Sequence, residues 1–273
     1  MSKRPGWWLY VLAKIWPITW ISAQATQSKI IGPLIAKTLV PFFSKKNLNI
    51  TYLPINITIA PQSTPVPLRI VEEIIRRSAH RVIIKRCTCR DAKQCTEHPI
   101  DYACLLMGQG AMEIDSRIAT HVGVDEAIAH LHKCVGEGLI PMIGRVKIDN
   151  LIWGVKDTGK LLTMCFCCRC CCTILNSGKY LPEEAASSIV RLKGVTLSVN
   201  LDACTGCGTC VDECFMDAIR IVDGKAVHND TICKGCGRCA QVCPHGATTI
   251  TIDNIDAAID EINARIRQYV QYE

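Results

Sequence analysis

A chain of 273 residues is long for one small domain and suits two modest ones, and 49% hydrophobic residues are enough for a packed core. Its nineteen cysteines would suggest a disulfide framework in a secreted protein, but they cluster at two- and three-residue spacings and total an odd number. Metal–sulfur ligation in a reducing, anaerobic cytoplasm is the better reading. The net charge of +6 is uneven: Lys3, Arg4, Lys14, Lys29, Lys37, Lys45, Lys46 and Arg69 all precede the first acidic residue, Glu72. The 23 basic and 25 acidic residues that remain leave a net of −2. This excludes a nucleic-acid binder basic over its whole surface and confines any anionic partner to the N-terminal segment.

Residues 1–46 read as an amphipathic helical segment. Trp7, Trp8, Trp16 and Trp20 lie among long apolar side chains, lysines recur between the apolar runs, and Pro17, Pro33 and Pro41 interrupt them. No run is long and uncharged enough to span a bilayer. Tryptophan with lysine and no acid suits the headgroup plane of a membrane. A signal peptide ending near Ala23-Gln24-Ala25, a docking surface for a partner subunit, and a helical hairpin packed on the protein's own core are the competing readings, with membrane surface placed slightly ahead of partner docking.

Residues 47–194 read as a small α/β, cysteine-rich domain. Asn49–Leu53 and Ile55–Ile59 alternate around Pro54 as short strands, and Pro61, Pro65 and Pro67 mark an extended linker. Leu68, Val71, Ile74 and Ile75 have helical spacing. Arg81–Arg86 and Gly159–Phe166 read as strands that run into cysteines, a helix follows Gly123, and residues 182–193 read as helix and linker. Residues 195–253 form a second domain, and 254–273 an amphipathic helix with Ile255, Ile259, Ile262, Ile266 and Val270 in a stripe.

In the second domain Cys204, Cys207, Cys210 and Cys214 form C-x2-C-x2-C-x3-C, and Cys233, Cys236, Cys239 and Cys243 repeat it at an offset of 29. Gly206, Gly208 and Ala218 map onto Gly235, Gly237 and Ala247 by the same offset, which implies a pseudo-two-fold. Three cysteines at i, i+3 and i+6 can wrap one cubane in a tight loop, while the fourth points at the other. The pattern is similar to bacterial-type two-[4Fe–4S] ferredoxins over about 60 residues. The resemblance implies an overall α+β architecture with a ferredoxin-like domain. It implies one cluster on Cys204, Cys207, Cys210 and Cys243, and another on Cys233, Cys236, Cys239 and Cys214. Cys243-Pro244 keeps the family's proline, whereas Phe215 follows Cys214.

Eleven cysteines lie upstream. Cys87 and Cys89 precede Cys95, His98-Pro99 and Cys104; Cys165, Cys167, Cys168, Cys170, Cys171 and Cys172 fall within eight residues. Residues i and i+2 of a strand share a face, so two neighbouring strands ending in C-x-C would bring four to six thiolates to one sheet edge. This arrangement resembles the N-terminal part of ferredoxin-like iron–sulfur proteins of anaerobes, a likeness that lends architecture; the eleven thiols themselves suffice for one or two further clusters, a non-cubane type among the options because adjacent cysteines can bridge irons. Cys134, on a helical stretch with Leu131, reads as a buried small hydrophobe. Arg86, Arg90 and Arg169 would offset cluster charge or form surface ion pairs. His98 and His121 are the alternative ligands, with solvated or core positions as the simpler reading; His245, after Cys243-Pro244, reads as a surface residue by default, with a place near a cluster as the alternative.

No phosphate-cradling loop, dinucleotide fingerprint or Ser–His–Asp signature occurs, and no catalytic residue is assigned. The expected function is an electron-transfer subunit of an oxidoreductase complex, peripheral at the cytoplasmic membrane face. It would relay electrons between a soluble partner such as a flavoprotein and a membrane-side acceptor such as a quinone system. A reductase with a catalytic upstream cluster and a redox-sensing or docking protein with structural clusters are the alternatives.

Overall fold

The computed structural model describes residues 4–43, 47–54, 66–156, 159–180 and 182–273. The expected strand Ile55–Ile59 and the linker residues Pro61 and Pro65 lie outside them.

Helices α1 (Trp8–Ile15), α2 (Pro17–Ala25) and α3 (Gly32–Phe43) open the chain. Pro17 takes the first position of α2, where a missing N–H costs nothing. Strand β1 (Leu48–Tyr52) and helix α4 (Val66–Arg77) follow, then β2 (Arg81–Ile84), α5 (Thr88–Lys93), β3 (Leu105–Met107) and β4 (Ala119–His121). Pro67, expected in a linker, stands instead in the first turn of α4, the helical position that tolerates it. Next come α6 (Val124–Gly136), β5 (Ile140–Val146), α7 (Lys147–Trp153), β6 (Leu162–Cys167), α8 (Thr173–Ser177) and the single turn α9 (Glu183–Ala186).

The six strands form one antiparallel sheet in the order β1-β5-β6-β3-β2-β4. Period-two alternation gives it two buried faces. Leu105, Met107, Leu162, Met164 and Phe166 join α4, α6 and the C-terminal helix in the main core. Val82, Ile84 and Leu106 face the other way, onto Leu9 and Leu12 of α1 and Ile152 and Trp153 of α7. Burial of each such side chain contributes about 1.5–3 kcal/mol. Helix α1 is therefore seated on the sheet, and Trp8 Nε1 donates to the Ile152 carbonyl at 2.8 Å.

The C-terminal region comprises β7 (Val195–Val199), α10 (Thr209–Asp212), β8 (Ile219–Val222), β9 (Lys225–His228), α11 (Arg238–Val242), β10 (Thr248–Ile252) and α12 (Ile255–Arg267). β7 pairs with β10 and β8 with β9. The Asn200 amide donates to the Ala247 carbonyl (2.8 Å), and the Asn229 amide to the Ala218 carbonyl (2.7 Å). Those four residues are related by the offset of 29, so each half closes on the other. Helix α12 is capped by Asn254, whose Oδ1 accepts from the Ala257 amide at 2.9 Å. It buries Ile262 and Ile266, with Val270 and Tyr272 beyond it, in the main core, so the last segment is integral to the upstream body.

Candidate iron–sulfur sites

In the repeat, Gly208 (φ +83°) caps α10 and Gly237 (φ +79°) caps α11, so Cys210 and Cys239 enter the first turn of equivalent short helices. Gly206 (φ +70°) is required twice over: its backbone is left-handed, and a Cβ would lie 2.3 Å from the Gly224 carbonyl oxygen. These loops draw Cys204, Cys207, Cys210 and Cys243 around a cavity of about 20 Å³, with His245 in its wall. Cys214, Cys233, Cys236 and Cys239 make the other set: burial pushes the last three thiols up, and Cys214 raises each of them further. Amides aim at the sulfurs: Ala218 N–H donates to Cys214 Sγ (3.3 Å) and Ala247 N–H to Cys243 Sγ (3.2 Å). Convergent thiols with N–H donors to sulfur are the donor set a cubane takes.

The upstream thiols do not meet as two adjacent C-x-C strands. Strand β2 ends at Ile84, and Cys87 instead sits at the N-cap of α5, with Cys89 inside that helix. Strand β3 lies between β2 and β6. Register explains what happens next: Leu105 pairs with Met164, so Cys104 stands opposite Cys165, Sγ to Sγ 3.2 Å. Cys165 and Cys167 share one face of β6, because Met164 and Phe166 point into the main core.

Two groups result. Cys95, Cys168, Cys170 and Cys171 bring their sulfurs within 4.8 Å of one another. Cys95 and Cys170 are 3.6 Å apart. Cys87, Cys89, Cys104, Cys165, Cys167 and Cys172 line part of the wall of a cavity of about 320 Å³, which Cys168 of the first group also reaches. Helix α2 closes one side of it, and Trp16 Nε1 donates to Thr173 Oγ1 at 2.6 Å across the rim. Cys134 belongs to neither group; it is fully buried in the main core beside His130.

Of the three arginines, Arg86 forms a two-pronged pair with Asp91 (2.9 and 2.7 Å), and Arg169 donates to Asn176. Arg90 is different. It is 1% exposed, donates to the carbonyls of Phe166 and Tyr102, and lies 3.9 Å from Cys168 Sγ. Burial opposes its charge, but Cys87 and Cys168 outweigh that and hold its pKa above the usual arginine value. His98 is half-buried, with Nδ1 3.9 Å from Glu137 Oε1. His121 pairs with His80 at 2.8 Å on the far edge of the sheet.

Sequence reasoning missed Tyr52 and the role of Phe215. Tyr52 is fully buried, its hydroxyl lacks a partner, and its ring lies 5.1 Å from that of Phe215. Burial raises its pKa well above 10, and Cys167, Cys172 and Cys236 raise it further. Phe215, where the repeat's other half has proline, thus fills the seam between the two regions. The departure from the proline pattern was the available signal.

Residues 203–247 match the family model of a 4Fe-4S dicluster domain. Among curated proteins none matches the chain. The dicluster match and the converging upstream thiols make this an iron–sulfur electron-transfer protein.

Proposed function

We propose that the chain is a multi-cluster relay whose C-terminal region is a bacterial-type two-cluster ferredoxin unit joined to at least one upstream cluster. Cys204, Cys207, Cys210 and Cys243 would hold one [4Fe–4S] cluster; Cys214, Cys233, Cys236 and Cys239 the second; Cys95, Cys168, Cys170 and Cys171 a third. Each cluster supplies one-electron transfer, and the protein supplies spacing and potential. One observation carries the reading. Cys236 packs against the same apolar cluster that holds Tyr52, Phe215, Cys167 and Cys172, so thiols of both regions share a dry core.

The test is anaerobic iron and sulfide determination on the full chain with redox-titrated EPR. At least about twelve irons, four per cubane, and more than two reducible centres are expected. Eight irons would remove the upstream cluster, and an absence of reducible centres would overturn the relay.

A soluble donor such as a flavoprotein and a membrane-side acceptor complete the proposal. Ile18, Ile21, Ile30 and Leu34 are 65%, 64%, 90% and 67% exposed on an acid-free segment. Among the described residues no helix is long and apolar enough to cross a membrane. Surface attachment is the mode that composition favours. Deleting the segment would uncover the sheet face under α1, so the informative variant changes those four residues to serine. Loss of co-sedimentation with anionic vesicles supports attachment, and unchanged co-sedimentation refutes it. The second reading, a reductase, is favoured by the roomy cavity beside the six upstream thiols.

A further inference from the structure

We infer that Cys87, Cys89, Cys104, Cys165, Cys167 and Cys172 hold a further, polynuclear iron–sulfur centre, separate from the compact four-thiol group beside it. The inference rests on the chain being an iron–sulfur protein and assigns a ligand set of its own.

The six thiols line one space. Cys104 and Cys165 are 3.2 Å apart, and Cys89 Sγ lies 3.3 Å from Thr173 Oγ1, next to Cys172 in the chain. The thiols come from separate elements: the start of α5, the approach to β3, and β6 with the N-cap of α8. None of the six is in a disulfide.

Buried cysteines often serve as small hydrophobes, as Cys134 does here. That account fails for these six on three grounds. First, the six thiols share one cleft of about 320 Å³, which is at the lower end of the range for bound small molecules and cofactors. Second, polar groups in its wall lack partners. Ser177 is 6% exposed and Arg90 1%, and neither Ser177 Oγ nor Arg90 Nε has a hydrogen-bond partner. Third, the Arg90 guanidinium is 1% exposed, lies 3.9 Å from Cys168 Sγ and forms no ion pair with a carboxylate among the described residues; Asp149, the carboxylate in the cavity wall, accepts from Thr163 Oγ1 instead. A buried cation without a paired anion is costly, whereas an anionic thiolate-ligated centre would satisfy it.

The donor set then selects the occupant. Six soft sulfurs suit iron–sulfur chemistry or a thiophilic ion. One tetrahedral zinc takes four ligands and would leave two thiols and most of the space unfilled. The cradle of Cys204, Cys207, Cys210 and Cys243 has about 20 Å³ of free space, so the upstream cavity is far larger than a four-thiol ferredoxin loop leaves. A polynuclear centre using more than four thiolates fits both the count and the volume.

The experiment counts iron and sulfide on the full chain purified anaerobically, then on Cys104→Ser/Cys165→Ser and on Cys95→Ser/Cys170→Ser. The three-cluster relay alone predicts about twelve irons. The further centre predicts clearly more, and each double variant should lose a different part, with distinct Mössbauer components. EPR signals of the two C-terminal clusters serve as the internal standard. Twelve irons or fewer on the unmodified chain overturns the inference and leaves the relay standing. So does full retention of iron by the Cys104/Cys165 variant. If that variant also loses the C-terminal signals, it has misfolded, and the count on the unmodified chain decides. Zinc in place of the extra iron would likewise overturn it.

Discussion

The two thiol-rich regions gather sulfur by opposite means. In the C-terminal repeat, eight cysteines fall between Cys204 and Cys243, and tight glycine turns bring them together locally. Upstream, the sulfurs come from α5, the approach to β3, and β6, elements distant in sequence that the sheet and Arg90 bring together. The first plan makes the metal part of the core; the second places a metal site on a core that stands by itself. The apolar cluster inside the repeat shows this, since its buried members are Cys204, Cys210 and Cys239 with Ile219 and two alanines, while Leu197, Val199 and Val211 are only partly buried against it. The upstream sheet is covered on both faces by leucine, isoleucine and valine.

Removing iron is therefore the sharpest test of the contrast. Anaerobic chelation should release amide protection throughout β8, β9, α10 and α11, while α4, β3 and α6 keep theirs. Hydrogen exchange read by mass spectrometry would resolve the two. Equal loss in both regions would break the distinction.

Arg90 gives the next largest effect. Arg90→Gln removes a buried charge set among thiols and should cost about 3 kcal/mol of holo-protein stability. It should also lower the upstream potentials, because the reduced, more negative state loses a cation, while the C-terminal clusters keep theirs. Potentiometric EPR separates the sets; a uniform shift would show that Arg90 acts on the fold and not on the upstream site.

Within the repeat, the two glycines that flank Cys207 should differ. Gly208→Ala meets open space and bears only the left-handed backbone penalty, about 1–2 kcal/mol. Gly206→Ala adds a clash with the Gly224 carbonyl and should cost about 3 kcal/mol or more. Denaturant titration of the clusters' visible absorbance would rank them, and equal effects would mean that the Gly224 loop yields freely.

The same contrast explains what could be read from sequence. Local spacing exposed the offset of 29, its glycines and the alanines that donate to sulfur. Asn200 and Asn229, which lock the halves together, obey that offset too but carry no chemistry that draws notice. Upstream, spacing was a poor guide. The run Leu105–Met107 is too short for its period to reveal that β3 separates β2 from β6, so the pairing of Cys104 with Cys165 depends on a strand order that sequence does not encode locally. Cys87 and Cys89 looked like strand residues because Arg81–Ile84 alternates, yet the strand ends before them. In the N-terminal segment, composition suggested an anchor, while geometry shows Trp8 and Trp16 hydrogen-bonded into the body and the isoleucines of α2 left outside.

The smallest expected effect compares the regions by proton. Each holds a histidine below its ordinary pKa. Burial lowers His80, and then His121 and Arg81 lower it further; burial lowers His228, with Arg191 adding to it against Asp230. The sign is the same for both. Between the lowered folded value and 6.5 the unfolded chain binds more protons, so stability rises with pH through that window and is lost as pH falls below 6.5. His80 stands at an exposed sheet edge and shares a hydrogen bond with His121, so screening limits its contribution to below about 0.5 kcal/mol. His228 Nε2 is buried with no partner, so its protonation is opposed mainly by desolvation. Hence His80→Gln should barely flatten the acid limb of the upstream melt, and His228→Gln should flatten that of the repeat more. Unfolding followed from pH 7 to 5.5, by exchange for the sheet and by cluster absorbance for the repeat, tests the order. A larger effect at His80 would mean that the histidine pair, and not burial, governs the acid response.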